Sequence, residues 1–436
     1  MTITTEQVSQ LAPDGSSLSA GKKLMALKNW SDLGISAEAL WGKCQGSALY
    51  QVKVDLSNLG SSCSCPSRKF PCKHGLGLLF LYAESPAALA PAEPPEWVNE
   101  WLSKRQDRAE KKSEKKAEEA AKPVDEQAQQ KRVEQREARV SEGLERLDLW
   151  IRDLVRNGLA GLESKPPSFW DEQSRRLVDA QAAGLSSRLL ALGELPGSGP
   201  DWPERMLAEL GRLKLLIHAW QRIEQIDAPL QSDIRQMIGW NIGQDELEGR
   251  TDGVDDVWAI VGQTLSEEKQ LRVQRSWLLG RNTGAWALVV QFAAGSHPFA
   301  ESLLVGTEQA GTMIYYPGAS QQRARWIRKD AAISQVSGRL PGAGQIAEFL
   351  SDVSTQLAAQ PWLRSSCGLF HDVKLAPGES DWLLRDNAGN GLPLSGKQHW
   401  KLLSLTGGHP FDLAAEWDGR RLSPVGAMIA GRYRVL

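Results

Sequence analysis

Near the N-terminus, apolar and polar positions alternate with the two-residue period of a β-strand. From residue 49 to residue 56 every second side chain is apolar, which gives the predicted strand one apolar face. The residues of that face are Tyr50, Val52, Val54 and Leu56. A second strand is predicted at Ala39–Gln45, and the Gly46-Ser47 pair between the two runs favours a turn. The pattern therefore predicts two strands joined by a short turn.

Beyond a loop that contains several cysteines, the apolar positions change to the three- and four-residue spacing of a helix. These positions are Leu76, Leu79, Phe80 and Ala83. The pair Ser85-Pro86 ends the predicted helix, because proline disfavours helical backbone at the residue before it. A connector rich in Pro and Ala, Pro86–Pro95, follows. We predict that this first domain spans residues 1–102.

Residues 103–142 contain many charged and very few apolar side chains. Opposite charges four residues apart, such as Asp107 and Lys111, favour a helix, whereas like pairs such as Lys111 and Lys115 oppose it. The pattern is typical of either a solvated helix or a disordered tether. We interpret the segment as a charged linker, and a recognition element is the alternative.

Helical periodicity returns after residue 142 and predicts an all-helical domain over residues 143–250. From residue 251 the pattern changes to short apolar runs separated by turns, which predicts a β-rich domain over residues 251–436. The predicted strands are Trp286–Phe292, Leu303–Val305, Met313–Tyr316, Trp382–Arg385 and Trp400–Leu405. One helix is predicted between them, at Gly344–Gln360. The fold class is therefore α+β, with a small ββα unit, a helical middle domain and a β-rich C-terminal domain.

The β-rich domain also contains a short internal echo. Gly295–Phe299 and Gly407–Phe411 both have the sequence Gly-x-His-Pro-Phe, and each follows an apolar run that begins with tryptophan. A duplication of two half-domains would explain the echo. This hypothesis requires similar strand units at both places.

Composition narrows the class of protein. The chain has 436 residues, which favours two or three domains, and its 41% hydrophobic and 24% charged residues are typical of globular proteins. Its formal net charge is -2, so overall charge does not indicate a dedicated nucleic-acid binder. No signal peptide or membrane-spanning run is evident, and we expect a cytoplasmic protein.

Four potential metal ligands lie within twelve positions, although the whole chain has only five cysteines and six histidines. They are Cys63, Cys65, Cys72 and His74. Thiolates and imidazole are the ligands that zinc prefers, and four of them complete a tetrahedron. A catalytic zinc normally keeps one position open for water, so we predict one structural zinc ion and no catalytic residue.

The remaining candidates for site chemistry are weaker. Cys44 lies in a predicted strand and is interpreted as a buried apolar side chain, with approach to the metal cluster as the alternative. Cys367 is interpreted as a core or loop thiol. His371 and Asp372 form an acid/base candidate by adjacency alone.

The ligand pattern resembles the SWIM zinc finger, whose motif is C-x-C-x(n)-C-x-H, with a short spacer here. The resemblance covers roughly residues 40 to 84 and includes the strand pair and the helix that opens at His74. The whole layout is similar to that of the large bacterial SWIM zinc-finger proteins. This resemblance implies zinc binding, and it implies a MoxR-type AAA ATPase and a von Willebrand A-domain protein as candidate partners.

Two functions are compatible with the resemblance, since SWIM fingers are credited with both protein and DNA interactions. The near-neutral, modular chain without a catalytic signature favours a non-catalytic adaptor or assembly component. The alternative is nucleic-acid binding through Arg68, Lys69 and Lys73, which lie beside the predicted ligands. A metal-dependent enzyme is the third possibility. We predict a binding protein rather than an enzyme.

Overall fold

The computed structural model describes residues 3–105, 107, 111, 126–268, 271–295, 297–379, 381–396 and 398–436. The fold mixes α and β structure, as predicted: a small sheet with helices comes first, a helical bundle follows, and β-rich structure completes the chain.

The first part of the chain, residues 3–105, is called the N-terminal unit below. Its antiparallel sheet has the strand order β1 (Trp30–Ile35), β2 (Ala39–Gln45), β3 (Leu49–Asp55) and β4 (Ser61–Cys63). Its helices are α1 (Thr5–Gln10), α2 (Gly15–Lys23), α3 (Lys73–Glu84) and α4 (residues 96–105). Short 3-10 turns lie at Leu27–Asn29 and Pro86–Ala88. The predicted strand pair and the predicted helix are confirmed.

The core of the N-terminal unit lies between its sheet and α3. Val52 and Val54 on the apolar face of β3 are fully buried, and so is the helical residue Leu76. Helix α2 approaches α3 closely because Gly21 has no side chain: a Cβ there would lie 2.8 Å from Leu76 Cβ. Leu304, which is distant in sequence, is buried in the same core. The N-terminal unit is thus built partly from the C-terminal half of the chain.

Five helices then form a bundle around one apolar core. They are α5 (Glu126–Arg156), α6 (Pro167–Asp179), α7 (Ala183–Leu192), α8 (Trp202–Gln221) and α9 (Ala228–Ile238). Short helical segments at Ala160–Ser164, Ile223–Gln225 and α10 (Gln244–Glu248) connect or follow them. Trp362, from the C-terminal part of the chain, is buried in the bundle core and donates its indole N–H to the carbonyl of Arg212 at 2.9 Å.

The C-terminal part contains two antiparallel sheets. The first has the order β7 (Trp286–Ala294), β6 (Leu271–Gly280), β5 (Val254–Glu268), β8 (Thr307–Tyr315) and β9 (Ala324–Gln335). The second has the order β12 (Gly391–Pro393), β11 (Trp382–Arg385), β10 (Ser366–Pro377), β13 (Phe411–Trp417), β14 (Leu422–Ile429) and β15 (Arg432–Val435). Two helices, α11 (Ile346–Ala359) and α12 (Gln398–Thr406), accompany them.

The five-stranded sheet also contacts both neighbouring parts. It packs on the six-stranded sheet at Gly262, where a Cβ would lie 2.3 Å from Val425. It meets the N-terminal unit through Gln7, whose Nε2 donates to the carbonyl of Val305 at 3.1 Å and to Gln335 at 3.0 Å. The sheet therefore fixes the position of the N-terminal unit.

Two predicted strands are wrong. Trp400–Leu405 belongs to helix α12, because its buried positions, Leu402 and Thr406, are four residues apart and the positive φ of Gly407 follows the helix end. Leu303–Val305 is a buried connection outside any strand, and Thr307, the first residue of β8, donates its hydroxyl to the carbonyl of Leu304.

The first correction also removes the duplication hypothesis. Gly295 follows strand β7, whereas Gly407 follows helix α12, so the two echoed segments have unrelated surroundings. The other predicted strands of this part, and the helix at Gly344–Gln360, coincide with described strands and with α11.

Half of the predicted linker is described. Residues 126–142 form the first part of α5, and Val140 is already buried in the bundle core. Lys115, the second residue of the like-charged pair Lys111 and Lys115, lies outside the described residues. Among the described helices, none has the length and apolar character needed to cross a membrane. The predicted domain boundaries stay predictions.

Candidate metal centre

The four predicted ligands are placed by two adjacent elements and the loop between them. Cys63 ends strand β4, which pairs with β3 through Val52 opposite Cys63. Cys72 is the N-cap of α3, and its Sγ accepts the backbone N–H of Gly75 at 3.5 Å. His74 lies in the first turn of α3. Because Cys72 precedes the first helical turn, its Sγ and the Nδ1 of His74 can both reach the same metal position.

The ligand atoms of Cys63, Cys65, Cys72 and His74 all lie within 4.8 Å of one another. The Nδ1 atom of His74 is 3.6 Å from Cys63 Sγ and 4.0 Å from Cys72 Sγ. Tetrahedral zinc with ordinary Zn–S and Zn–N bond lengths separates a sulfur and a nitrogen ligand by about 3.6 Å. The donor set therefore fits one zinc ion, with Nδ1 as the histidine ligand.

The charges of the thiols support the same conclusion. A hydrogen bond from the Cys63 thiol, with further ones from His74 and from the Gly75 N–H, lowers the pKa of Cys72 to about 4. The same bond and burial raise the pKa of Cys63 far above its usual range, and burial raises the pKa of Cys65. Three packed thiols ionise together only when a cation balances them, and a divalent metal supplies that charge.

The imidazole of His74 is held by an aromatic neighbour. The Tyr50 ring lies 4.8 Å from the His74 ring, centroid to centroid, and the Tyr50 hydroxyl is 2.6 Å from the Ser47 hydroxyl. His74 itself is only 3% exposed. The alternation of β3 places Tyr50 on the apolar face, but only the register of β3 against β4 shows that this end of the face reaches the metal centre.

The three basic residues predicted to contact nucleic acid differ from one another. Lys69 forms an ion pair with Asp14 at 2.9 Å and a hydrogen bond with Ser16 at 3.2 Å. Arg68 and Lys73 are exposed and have no ion pair within the part of the chain that the structure describes. The cationic surface at the metal centre therefore has two free charges and one that Asp14 neutralises.

The other candidate residues are placed as follows. His371 lies 3.1 Å from Asp412 rather than against its sequence neighbour Asp372, which pairs with Arg339. The structure therefore does not support the acid/base candidate that rested on the adjacency of His371 and Asp372. Cys44 is fully buried in the core of the N-terminal unit, and burial raises its pKa to about 11, so its interpretation as a buried apolar side chain is confirmed. Cys367 is buried in the core between the two C-terminal sheets.

Comparison with known protein families identifies two parts of the chain. Residues 50–83 match the SWIM zinc finger, and residues 135–238 match the SWIM-associated four-helix bundle domain. The first match contains all four ligands, and the second spans α5 to α9.

No curated protein and no solved structure is significantly similar to the chain. Within the described residues, Cys63, Cys65, Cys72 and His74 are the one group of side chains arranged to hold a metal ion. The chain therefore carries a SWIM zinc finger with one structural zinc site, followed by a SWIM-associated four-helix bundle domain.

Proposed function

We propose that this protein is a non-catalytic adaptor that binds another protein, with the zinc centre stabilising part of the binding surface. The observation that carries the proposal is a cleft of about 590 Å³ between the N-terminal unit and the five-stranded sheet. We call it the seam cleft. Its volume lies within the range of small-ligand pockets, about 300–1,000 Å³, and so leaves room for a few side chains of a peptide or loop.

The seam cleft has apolar walls from both sides. Phe70, from the metal-binding loop, is 37% exposed, and Leu265, at the end of β5, is 59% exposed. Phe299 adds a third apolar side chain. Apolar side chains that converge on one cleft from separate elements favour burial against a partner, since their transfer from water is favourable.

The charged residues of the seam cleft are largely satisfied within the chain. Arg105 lies 3.5 Å from Asp55, and Glu301 lies 3.2 Å from Lys329. Arg272 donates to the carbonyl of His297 and lies over the Phe299 ring. A polyanion would find few free cations here, whereas an apolar protein segment needs none.

A photo-crosslinking amino acid at position 70 tests the proposal. With p-benzoylphenylalanine in place of Phe70, we expect irradiation in an extract of the native host to yield a covalent complex with a protein, at low and high salt alike. The matched control carries the same amino acid in place of Leu207, which is 53% exposed on α8, far from the seam cleft in sequence. A MoxR-type AAA ATPase and a von Willebrand A-domain protein are the first partners to look for.

The outcome separates the candidate functions. A protein adduct at position 70 that is absent at position 207 supports the adaptor. Nuclease-sensitive adducts, or equal labelling at both positions, contradict it.

Nucleic-acid binding is the second candidate, and the free cations of Arg68 and Lys73 favour it. Phosphate contacts weaken steeply with salt. For this function, R68Q/K73Q should reduce oligonucleotide binding, and the loss should be largest at low salt.

A further inference from the structure

The zinc ligand His74 has a second ring nitrogen, Nε2, for which the described part of the chain supplies no hydrogen-bond partner. Its Nδ1 faces the sulfurs of Cys63 and Cys72, so Nε2 points away from the metal centre. His74 is 97% buried as a residue, but its Nε2 atom stays accessible to water and has no hydrogen-bond partner among the described residues. A metal-bound histidine almost always donates this second N–H to a carboxylate, a carbonyl or water, which orients the ring.

A cleft of about 440 Å³ opens next to His74. We call it the zinc cleft. The start of α2 lines one side with Ser16 and Ser17, and the β2–β3 turn lines another with Ser47. The turn leaves room over Nε2 because residue 46 is glycine: a Cβ there would lie 3.6 Å from Nε2 and 3.0 Å from the Tyr50 ring. Space and an unused donor therefore coincide.

The zinc cleft has a formal charge close to zero when zinc is bound, and it offers two hydrogen-bond donors to a ligand. Lys69 and Lys73 both line it, but Asp14 neutralises Lys69 at 2.9 Å. The thiolates and the zinc ion together carry a formal charge of about -1, which also limits the field. One free ammonium and one N–H donor remain.

We propose that the zinc cleft binds a carboxylate side chain of the partner protein, with His74 Nε2–H and the Lys73 ammonium as its donors. The inference rests on the proposed adaptor function and specifies one feature of the partner, an acidic residue that binds in the zinc cleft. A carboxylate accepts two charge-assisted hydrogen bonds from such donors and completes the outer ring of the metal centre. A nucleic-acid strand fits less well, since it needs a row of free cations and Asp14 stands at the rim.

The full-length, zinc-loaded protein can be titrated with acetylated Gly-Gly-Glu-Gly-Gly amide, and the histidine ring nitrogens followed by NMR. We expect a saturable shift of the His74 Nε2 signal that the glutamine version of the peptide does not cause. K73Q should weaken binding about tenfold, the loss of one charge-assisted hydrogen bond. The matched control is K28Q, since Lys28 is exposed on the same unit but does not line the zinc cleft.

Two further variants test the donor and the space. H74C gives a four-cysteine site, which can hold zinc without the ring donor, and zinc content per chain checks its folding. Because the fourth thiolate also adds one negative charge, G46A, which leaves the charge unchanged, separates the loss of access to the donor from the change in charge. G46A places a methyl group over Nε2. Both should weaken peptide binding while K28Q does not.

The proposal is overturned if the glutamine peptide binds equally well, or if K73Q, H74C and G46A leave binding unchanged. A short oligothymidylate serves as the alternative ligand. If it shifts the His74 signal and the acidic peptide does not, the ligand of the zinc cleft is a phosphodiester and the proposed carboxylate is rejected. If the peptide binds but no protein is crosslinked at position 70, carboxylate binding by the zinc cleft is supported and the adaptor function is rejected.

Discussion

The metal-binding loop of the N-terminal unit and the helical bundle differ in what holds them closed. Between Cys63 and Cys72 most side chains are exposed, including Arg68 and Phe70, so the loop adds little apolar burial. The bundle buries side chains from five helices and from Trp362 in one core. In the loop, stability is concentrated in four ligands, whereas in the bundle it is distributed over many contacts. The same kind of substitution should therefore have very different effects in the two regions.

The largest effect is expected at a zinc ligand. C65A leaves three ligands, so the loop loses its closure and the N-terminal unit should unfold and release its metal. Zinc content should fall from about one ion per chain to none. Because the bundle core contains none of the ligands, the bundle should keep its own thermal transition in circular dichroism. A C65A protein that retains zinc and a folded N-terminal unit would contradict the concentrated stability of the loop.

The next effect is expected where another segment enters the bundle. Trp362 is 4% exposed, and W362A should destabilise the bundle by about 3–5 kcal/mol, the range for a deleted large core side chain. Urea unfolding measures the change, and zinc content should stay the same. W400A is the matched control, since Trp400 is 60% exposed and its loss should change stability little. Equal effects of the two variants would mean that the bundle does not depend on Trp362.

A smaller effect is expected inside the bundle. The hydroxyls of Ser174 on α6 and Ser186 on α7 lie 2.6 Å apart, and both residues are buried. S174A should destabilise by about 1–3 kcal/mol, because Ser186 is left without a partner. The double variant S174A/S186A should recover part of the loss in the same urea experiment. If the double variant loses as much stability as the two single variants added together, the two hydroxyls are not energetically coupled.

The smallest effect concerns pH at the contact between the bundle and the C-terminal part. Asp233 accepts the N–H of Ala319 at 2.7 Å, and burial raises its pKa. The unfolded chain thus loses the proton at lower pH than the folded chain. Stability should fall as pH rises from the ordinary carboxyl pKa near 4 to the raised value, and stay constant above it.

D233N has no such proton. Its stability at neutral pH should lie within about 1 kcal/mol of the parent, and the decline with pH should become shallower. Thermal unfolding at several pH values between 3 and 7 measures the slope. An unchanged slope would assign the pH dependence to other groups.

The sequence predicted the metal centre well because its ligands are close together in the chain and lie on strongly patterned elements. Strand β3 has an alternating apolar face, and α3 has an apolar run that starts beside Cys72. Two elements of the N-terminal unit that were not predicted, α2 and β1, have weak patterns. Helix α2 contains only Leu18 and one alanine among its small and polar residues, and β1 includes Ser31, Asp32 and Gly34. Their positions depend on packing against α3 and β2.

Contacts between distant segments could not be predicted. The run Trp400–Leu405 has the apolar content of a strand, and only the burial of Leu402 and Thr406 shows that it is helical. His371 is adjacent to Asp372 in sequence, but the register of β10 against β13 brings Asp412 to it. The open side of His74 was likewise invisible, since the β2–β3 turn and α2 form it.

The burial of Leu304 in the core of the N-terminal unit has a consequence for synthesis. A chain emerging from the ribosome can close the metal loop as soon as α3 is made, because all four ligands lie before residue 75. The core of the N-terminal unit, however, lacks the Leu304 side chain until that residue has also emerged. We therefore expect nascent chains to hold zinc early and to acquire full resistance to proteolysis only after the five-stranded sheet has been translated.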